Sequence, residues 1–393
     1  MTTRLVVLTE IIAPYRIPVF NALARRKNQN KDKEKEKDLD LHVIFLAETD
    51  QRLRQWHVYK DEIRFSYQVL PSWRWRLGER NLLVNRRVAS ALGKASPHVI
   101  ICGGYNYPAS WQALHWARRH GVEFVLWSES NRQDARRGWA GIELLKSYFL
   151  RHCDRFVVPG KSSSNYLQSL GCGAASITTA PNAVDNYSFA TRAEQARAHA
   201  TQFREKFNLP SRFILFTGRL VPEKGPFDLL DAYAKLESSL RAEVGLVFAG
   251  DGVSRQELTE TAKRISPGTV VFPGFAQRDD LAGLYALADA LVLPTHSDPW
   301  GLVVNEAMAC GLPIIVSNVA GCTADLVENG WNGYVVPPED SEKLSFAMNS
   351  MLTNSELRQR MGAHSLERIR NYSPEACADG LAKAAISSPT EAR

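Results

Sequence analysis

Two carboxylates, Asp298 and Glu306, stand eight positions apart in the otherwise apolar stretch "THSDPWGLVVNEAMACG", residues 295–311. Residues 302–310 read as a helix, with Gly311 as its left-handed stop. On that helix Val303, Glu306, Ala307 and Cys310 share one stripe at i, i+3, i+4 and i+7. A carboxylate on an apolar stripe is costly unless donors reach it. A ribose diol offers two hydroxyl donors to one carboxylate, as in dinucleotide sites. Asp298 lies in the turn before the helix. It either points toward whatever sits beyond a bound diphosphate or closes an Asx-turn, since Asp-Pro is a common turn opener.

Cations stand at a similar place upstream. "FILFTGRLVPEKGPFDLLDAYAKL" (213–236) reads as a strand, a turn with Gly218 and Gly225, and a helix opened by Pro226. Arg219 and Lys224 share that turn, beside a helix N-terminus that already favours anions. A diphosphate suits such a pair, the guanidinium as a planar fork and the ammonium as a point charge. The plainer alternative is a solvated basic turn. "VFAGDGV" (247–253) adds Gly250, Asp251 and Gly252, and "VVFPGF" (270–275) adds Pro273 and Gly274. Each motif alone is a weak signal. Together they fall at consecutive strand ends, where open α/β sheets bind ligands.

Those strand ends belong to a regular alternation. In the first half, apolar runs at 4–10, 41–48, 65–71, 97–104, 122–129, 154–160 and 177–182 read as strands, most separated by helix-period segments. The pattern pauses over the polar, Ala-rich segment 186–211, then resumes with "RFILFTGRL", "EVGLVFAGDG", "TVVFPGF", "ALVLPT", "PIIVSN" and "GYVV". Alternation of this kind predicts parallel sheets covered on both faces. The expected architecture is two successive Rossmann-like, doubly wound domains, 1–195 and 205–371. The segment 186–211 would be the hinge between them, and 372–393 would cross back onto the first domain.

Composition bounds the remainder. A chain of 393 residues with 45% hydrophobic and 23% charged residues is a globular protein of two domains. Its six cysteines form no C-x-x-C pair, which argues against a structural zinc or disulfide framework and for a reducing compartment. The apolar run at the N-terminus is too short for a signal peptide or membrane span, so a cytoplasmic protein is expected. The net charge of +6 hides an asymmetry: residues 1–200 carry 30 Lys and Arg against 18 Asp and Glu, the rest 18 against 24. A basic half can attract a phosphorylated substrate or anionic lipid. Within it, "PSWRWRLGERNLLVNRRVASALGK" (71–94) interleaves Trp73 and Trp75 with Arg74, Arg76, Arg86 and Arg87. That patch either docks on anionic headgroups, on the inner face of a membrane, or is a solvated basic helix face with core tryptophans; no nucleic-acid partner is expected. Asp38-Leu39-Asp40 is discounted as a metal motif because it sits in a mixed-charge run. No Walker A loop is present, and "GCGAAS" (171–176) follows a helix, which argues against a dehydrogenase.

"TGRLVPEKG" (217–225), "FAGDG" (248–252), "FPGF" (272–275), "SDPWGLVVNEAMACGLPIIVS" (297–317), "GYVVPPED" (333–340) and "APNAVD" (180–185) together resemble the family-4 retaining glycosyltransferases of the GT-B fold. The resemblance implies a nucleoside-diphosphate sugar as co-substrate, UDP- or GDP-linked, with no other cofactor and no metal. The acceptor would be a hydroxyl of a glycan or lipid-linked molecule, in cell-envelope, exopolysaccharide or glycolipid biosynthesis. Arg219 and Lys224 would hold the diphosphate, Glu306 the ribose and Asp298 the donor sugar. Backbone at Gly218, Gly250, Asp251, Gly274, Gly301, Leu302 and Val303 would line the nucleotide. Two departures stand out. Asp298 replaces the family's usual Glu, one methylene shorter. The family's first-domain His is absent from "LWSESN", so Ser128, Glu129 or Ser130 must serve, with Glu129 preferred. "TEIIAPYRIPVF" replaces a Gly-rich first loop and would turn Tyr15 and Arg16 toward the cleft. A GT-B phosphorylase or epimerase, or a non-catalytic nucleotide-sugar binder, shares these features.

Overall fold

The structure, a computed structural model, describes residues 2–26, 38–50, 55–77, 80–132 and 140–386. The chain divides into two compact units, Met1–Ala183 with Pro374–Arg393, and Val184–Ser373. In the first, seven parallel strands run in the spatial order Ser66–Val69, Leu39–Phe45, Thr3–Thr9, Val99–Gly103, Glu123–Trp127, Arg155–Val158, Ile177–Thr179. In the second, six run Val270–Gly274, Gly245–Ala249, Phe213–Thr217, Ala290–Leu293, Ile314–Ser317, Gly333–Val336. Runs such as FILFT, GLVFA, ALVL and IIVS are buried at every position because helices cover both faces. Neither sheet keeps chain order. Each reverses beside its first strand, between Thr3–Thr9 and Val99–Gly103 in one and between Phe213–Thr217 and Ala290–Leu293 in the other. Such reversals open a crevice at the carboxyl ends of the strands.

Two segments depart from the sequence reading. Residues 184–195, assigned above to the first domain, pack in the second unit, and the expected 186–211 hinge is largely helical there, Asn186–Ala198 and Ala200–Phe207. Asp185 caps the first of these helices, accepting from Ser188 N at 2.9 Å, and Phe189 and Ala193 enter the core with Tyr285 and Met308. The apolar stripe was there, but small alanines blurred it. Ser72–Leu77 and Arg80–Asn85 form an antiparallel hairpin instead of a basic helix face. Asn85 and Leu83 on one side are buried, whereas Trp73 and Trp75 on the other are exposed, Trp75 by 67%. The discounted Asp38-Leu39-Asp40 motif lies where that reading expects: Asp38 precedes and Asp40 lies in the amino end of Leu39–Phe45, the opposite end from the crevice, while residues 27–37 of that charge run fall outside the described residues.

The terminal helix Pro374–Ile386 belongs to the first unit, where it packs on Ile17–Arg25 and beside Ile177–Thr179. Cys377, Ala378, Leu381 and Ala382 join that unit's core. Among the described residues no helix is long and apolar enough to cross a membrane.

Candidate active site

At the crevice of the second unit, two turns are tied to one another. The turn after Phe213–Thr217 ends at Gly225, which adopts φ 67° and opens the helix Pro226–Ala234. A Cβ at Gly225 would lie 2.2 Å from the Pro294 carbonyl oxygen, so only glycine permits this approach. The turn after Ala290–Leu293 then hangs from one carbonyl. Glu223 O accepts from Thr295 Oγ1 at 2.9 Å, from His296 N at 3.0 Å and from Ser297 N at 3.3 Å. The His296 ring adds a contact from Nε2 to Asp228 Oδ2 at 2.5 Å.

This arrangement brings Lys224 to Asp298. The ammonium donates to Asp298 Oδ2 at 2.6 Å and to the Ser297 carbonyl at 3.0 Å. Both side chains are withdrawn from solvent, 14% and 16% exposed. Asp298 Oδ1 accepts from Trp300 N at 3.1 Å, so the Asx-turn and the charge contact coexist, one oxygen each. Arg219 remains half exposed at 52%, and among the described residues its ion pairing is a 3.9 Å approach to Glu223. A guanidinium so placed can swing onto an anion without breaking a short contact.

Glu306 sits one turn into the helix Leu302–Ala309, whose N-cap is Gly301. The backbone N–H groups of Leu302 and Val303 belong to its first turn, where the helix itself has no acceptor for them. Glu306 Oε2 accepts from Tyr285 Oη at 2.7 Å, and Thr217 Oγ1 lies 2.9 Å from the same Oη. Since the single phenol proton goes to the carboxylate, Thr217 donates to Tyr285 and the three form a polarised chain. Burial pushes the Glu306 carboxyl up to about 7, against the opposing hydrogen bond from Tyr285. Burial and the neighbouring carboxylate push the Tyr285 phenol well above its ordinary range. Gly311 ends this helix region with φ 81°, the left-handed stop expected above.

The glycine turns stand in a row beside these groups. Gly218 N donates to Ala249 O at 3.1 Å, and Gly250 N donates to Gly274 O at 2.8 Å, holding three strand ends level. Asp251 Oδ1 accepts from Gly252 N at 2.8 Å, so that carboxylate braces its own turn.

Glu129 lies in the other unit, past the end of Glu123–Trp127. Its carboxylate is ion-paired to Arg16, and its carbonyl accepts from Ser163 Oγ at 3.2 Å. Arg16 is 8% exposed, with its guanidinium 4.0 Å over the Trp127 ring and 5.2 Å from the Tyr15 ring centre. Four groups beside the second unit's crevice escaped the sequence reading: Thr217, Tyr285, His296 and Asp228. Thr217 immediately precedes the motif glycine, a usable signal. Tyr285 lies among apolar helix residues, where a buried tyrosine reads as ordinary core.

Comparison with known proteins accords with this geometry. The family model described as "Glycosyl transferases group 1" matches residues 199–368, and that described as "Glycosyl transferase 4-like domain" matches residues 36–183. A glycogen synthase of Mycobacterium tuberculosis is 25% identical over 76% of this chain and 71% of its own length. The D-inositol 3-phosphate glycosyltransferase of Rhodococcus jostii is 34% identical over 45% of this chain and 41% of its own. Among solved structures, Anabaena Alr3699/HepE in complex with UDP superposes with a TM-score of 0.73 at 17% identity, covering 97% of this chain and 99% of that one. WaaG, a glycosyltransferase involved in lipopolysaccharide biosynthesis, superposes at 0.67 with 16% identity, covering 98% and 100%. Two parallel doubly wound units and these superpositions define a two-domain Rossmann-like GT-B fold. The chain belongs to the family-4 glycosyltransferases and is an enzyme of sugar transfer.

Proposed function

We propose that this enzyme moves a sugar from a nucleoside-diphosphate donor to a hydroxyl of a glycan or lipid-linked acceptor, with retention of anomeric configuration. One observation carries the donor assignment. Arg219, Lys224, the first turn of Leu302–Ala309 and Glu306 all emerge at the crevice where the second sheet reverses. Arg219, Lys224 and the amides of Leu302 and Val303 stabilise negative charge as the diphosphate leaves. Glu306 receives the ribose hydroxyls. Asp298 stands where the family resemblance places the group facing the donor sugar. In front-face transfer the leaving phosphate takes the acceptor proton, so this reading asks for neither a separate catalytic base nor a metal. UDP and UDP-glucose, named with HepE, are the first donors to try.

The acceptor is assigned to the basic first unit. There Trp73 and Trp75 project from the hairpin, and the Arg86 guanidinium lies 4.4 Å over the Trp73 ring. Aromatic rings with arginines suit the boundary of an anionic membrane, which fits a lipid-linked acceptor of envelope or exopolysaccharide synthesis. Co-sedimentation with vesicles tests this: binding that rises with anionic lipid is expected, and indifference to lipid charge would exclude it.

For the donor, a panel of UDP- and GDP-sugars screened by thermal shift is the direct test. The cognate nucleotide raises Tm by several degrees at saturating concentration. Arg219→Ala and Glu306→Ala each remove transfer while the protein stays folded. Wild-type turnover in either variant would defeat the assignment.

A further inference from the structure

The second unit has a cavity at the edge of its sheet opposite the crevice. It holds about 250 Å³ and lies where Asp289 leads into Ala290–Leu293 and Pro313 into Ile314–Ser317, at the amino ends of those strands. Leu312 and Pro313, both buried, give it an apolar floor. Arg197, Arg358, Ser355 and Gln359 form a polar rim. None of them stands at the crevice.

Backbone carbonyls orient both arginines. Arg197 Nη2 donates to Cys310 O at 2.6 Å and its Nε to Ala286 O at 3.3 Å. Arg358 Nη1 donates to Leu352 O at 2.7 Å and to Met351 O at 3.0 Å. Such contacts cap helix ends and fix a guanidinium without cancelling its charge. Asp289, the lining carboxylate, is committed elsewhere. Its Oδ2 accepts from Arg212 Nη2 at 2.7 Å and Nε at 2.9 Å, while Arg358 Nε stands 4.0 Å away. Burial pushes the Arg358 guanidinium below its ordinary value; Asp289 opposes that shift and Arg212 adds to it. An anion at the rim would offset both the burial and the repulsion. Among the described residues nothing partners Arg197 Nη1, Arg358 Nη2, the Ser355 hydroxyl or the Gln359 amide. Ser355 also opens the 15-residue helix Ser355–Ile369, so the positive end of a helix dipole lies at the same rim.

We propose that this cavity is a second ligand site, which takes a phosphate monoester of a small metabolite. The phosphate sits among Arg197, Arg358 and the start of Ser355–Ile369, and the carbon body rests on Leu312 and Pro313. A dianion with three acceptor oxygens answers two guanidiniums, a hydroxyl and an amide; a carboxylate brings one charge and two oxygens. The volume falls just under the about 300–1,000 Å³ of sites for drug-sized ligands, which suits the body of a small sugar or polyol. This site goes beyond the donor assignment and holds whichever nucleotide the crevice takes.

Thermal shift with inorganic phosphate, glycerol 3-phosphate, ribose 5-phosphate and glucose 6-phosphate tests it. Tm should rise with concentration, and the best ester should reach its half-effect about tenfold below inorganic phosphate. Ser355→Asp puts a carboxylate at the rim, in a helix first turn that favours acids, so the fold is kept while ester affinity falls about tenfold or more. Arg197→Gln, at an exposed position, should lose as much. Arg219→Ala, at the crevice, should bind the esters as the wild type does. A Tm rise of equal size in Ser355→Asp and Arg197→Gln would be the general action of phosphate salts on folded proteins and would overturn the site. A rise lost in Arg219→Ala would overturn it too, by assigning the phosphate to the crevice. An affinity no better for any ester than for inorganic phosphate would overturn the choice of a monoester.

Discussion

Each unit places a cation–carboxylate pair near the carboxyl edge of its sheet, and the two pairs are built for different ends. In the first unit Arg16 pairs with Glu129 and lies against the faces of Trp127 and Tyr15. Arg16 sits at the start of the helix Ile17–Arg25, where the helix dipole disfavours a cation. A carboxylate and two ring faces offset that cost, and an arginine held this way cannot leave without losing all three. In the second unit the pair uses lysine, and among the described residues no aromatic ring covers it. Lys224 is a compact point charge held by a carboxylate and one carbonyl, next to a half-exposed Arg219. The first pair is braced by a carboxylate and two rings, the second by a carboxylate and a carbonyl. On the proposed reading, that difference separates a structural pair from one whose cation also meets an incoming anion.

The sharpest way to break this comparison is to remove one cation from each pair. Lys224→Ala should cut transfer by about 10²–10³, the scale of losing one group that stabilises developing negative charge. Its Tm should fall as well, because Asp298, 16% exposed, loses its cation and keeps the Trp300 amide. Arg16→Ala should spare nucleotide binding and destabilise the fold by about 2 kcal/mol, through loss of its ring contacts and of an ion pair whose carboxylate is 37% exposed. Chemical denaturation and donor turnover on both variants measure the contrast. If Arg16→Ala abolished nucleotide binding in a protein of wild-type stability, the first pair would have to be moved into the donor site. Glu129→Gln is the milder version. Glu129 is 37% exposed, so a loss of about 1 kcal/mol is expected, with nucleotide affinity unchanged within twofold.

Legibility in the sequence followed the same divide between what one segment decides and what two segments decide together. Continuous apolar runs such as residues 213–217 and 245–249 declare buried parallel strands by themselves, because covered sheets need no polar alternation. Arg219, Lys224, Asp298 and Glu306 were visible because strand-end turns collect ligand-binding groups. Contacts across elements were not visible. The join of Lys224 to Asp298 depends on Gly225 meeting Pro294, a tertiary approach between residues nearly seventy positions apart. The Tyr285 chain likewise needs a helix, a strand end and a second helix to converge. Two local patterns were also misread. "SWRWRL" alternates with period two, a strand signal obscured by its charge, and 186–198 hides its core stripe among alanines.

A pH profile separates Glu306 from the lysine site. Its folded carboxyl titrates near 7, above the ordinary value of 4.5. A raised acid pKa means the folded state holds the proton, so this group's contribution to stability is fully present below about 4.5 and is lost as pH rises through 7. On the proposed reading nucleotide binding runs the other way, because two ribose hydroxyls would donate to the ionised carboxylate. Affinity should therefore rise with pH, approaching tenfold per unit well below 7, and level off above it. Glu306→Gln should flatten the profile at lower affinity. Tyr285→Phe removes the hydrogen bond that favours the ionised form, so the midpoint should move upward by a fraction of a unit, with little change in the plateau. Calorimetry between pH 5.5 and 8.5 resolves such a shift. A midpoint that stayed fixed would mean that Tyr285 only fills space, and the chain from Thr217 through Tyr285 to Glu306 would then be packing instead of electrostatics.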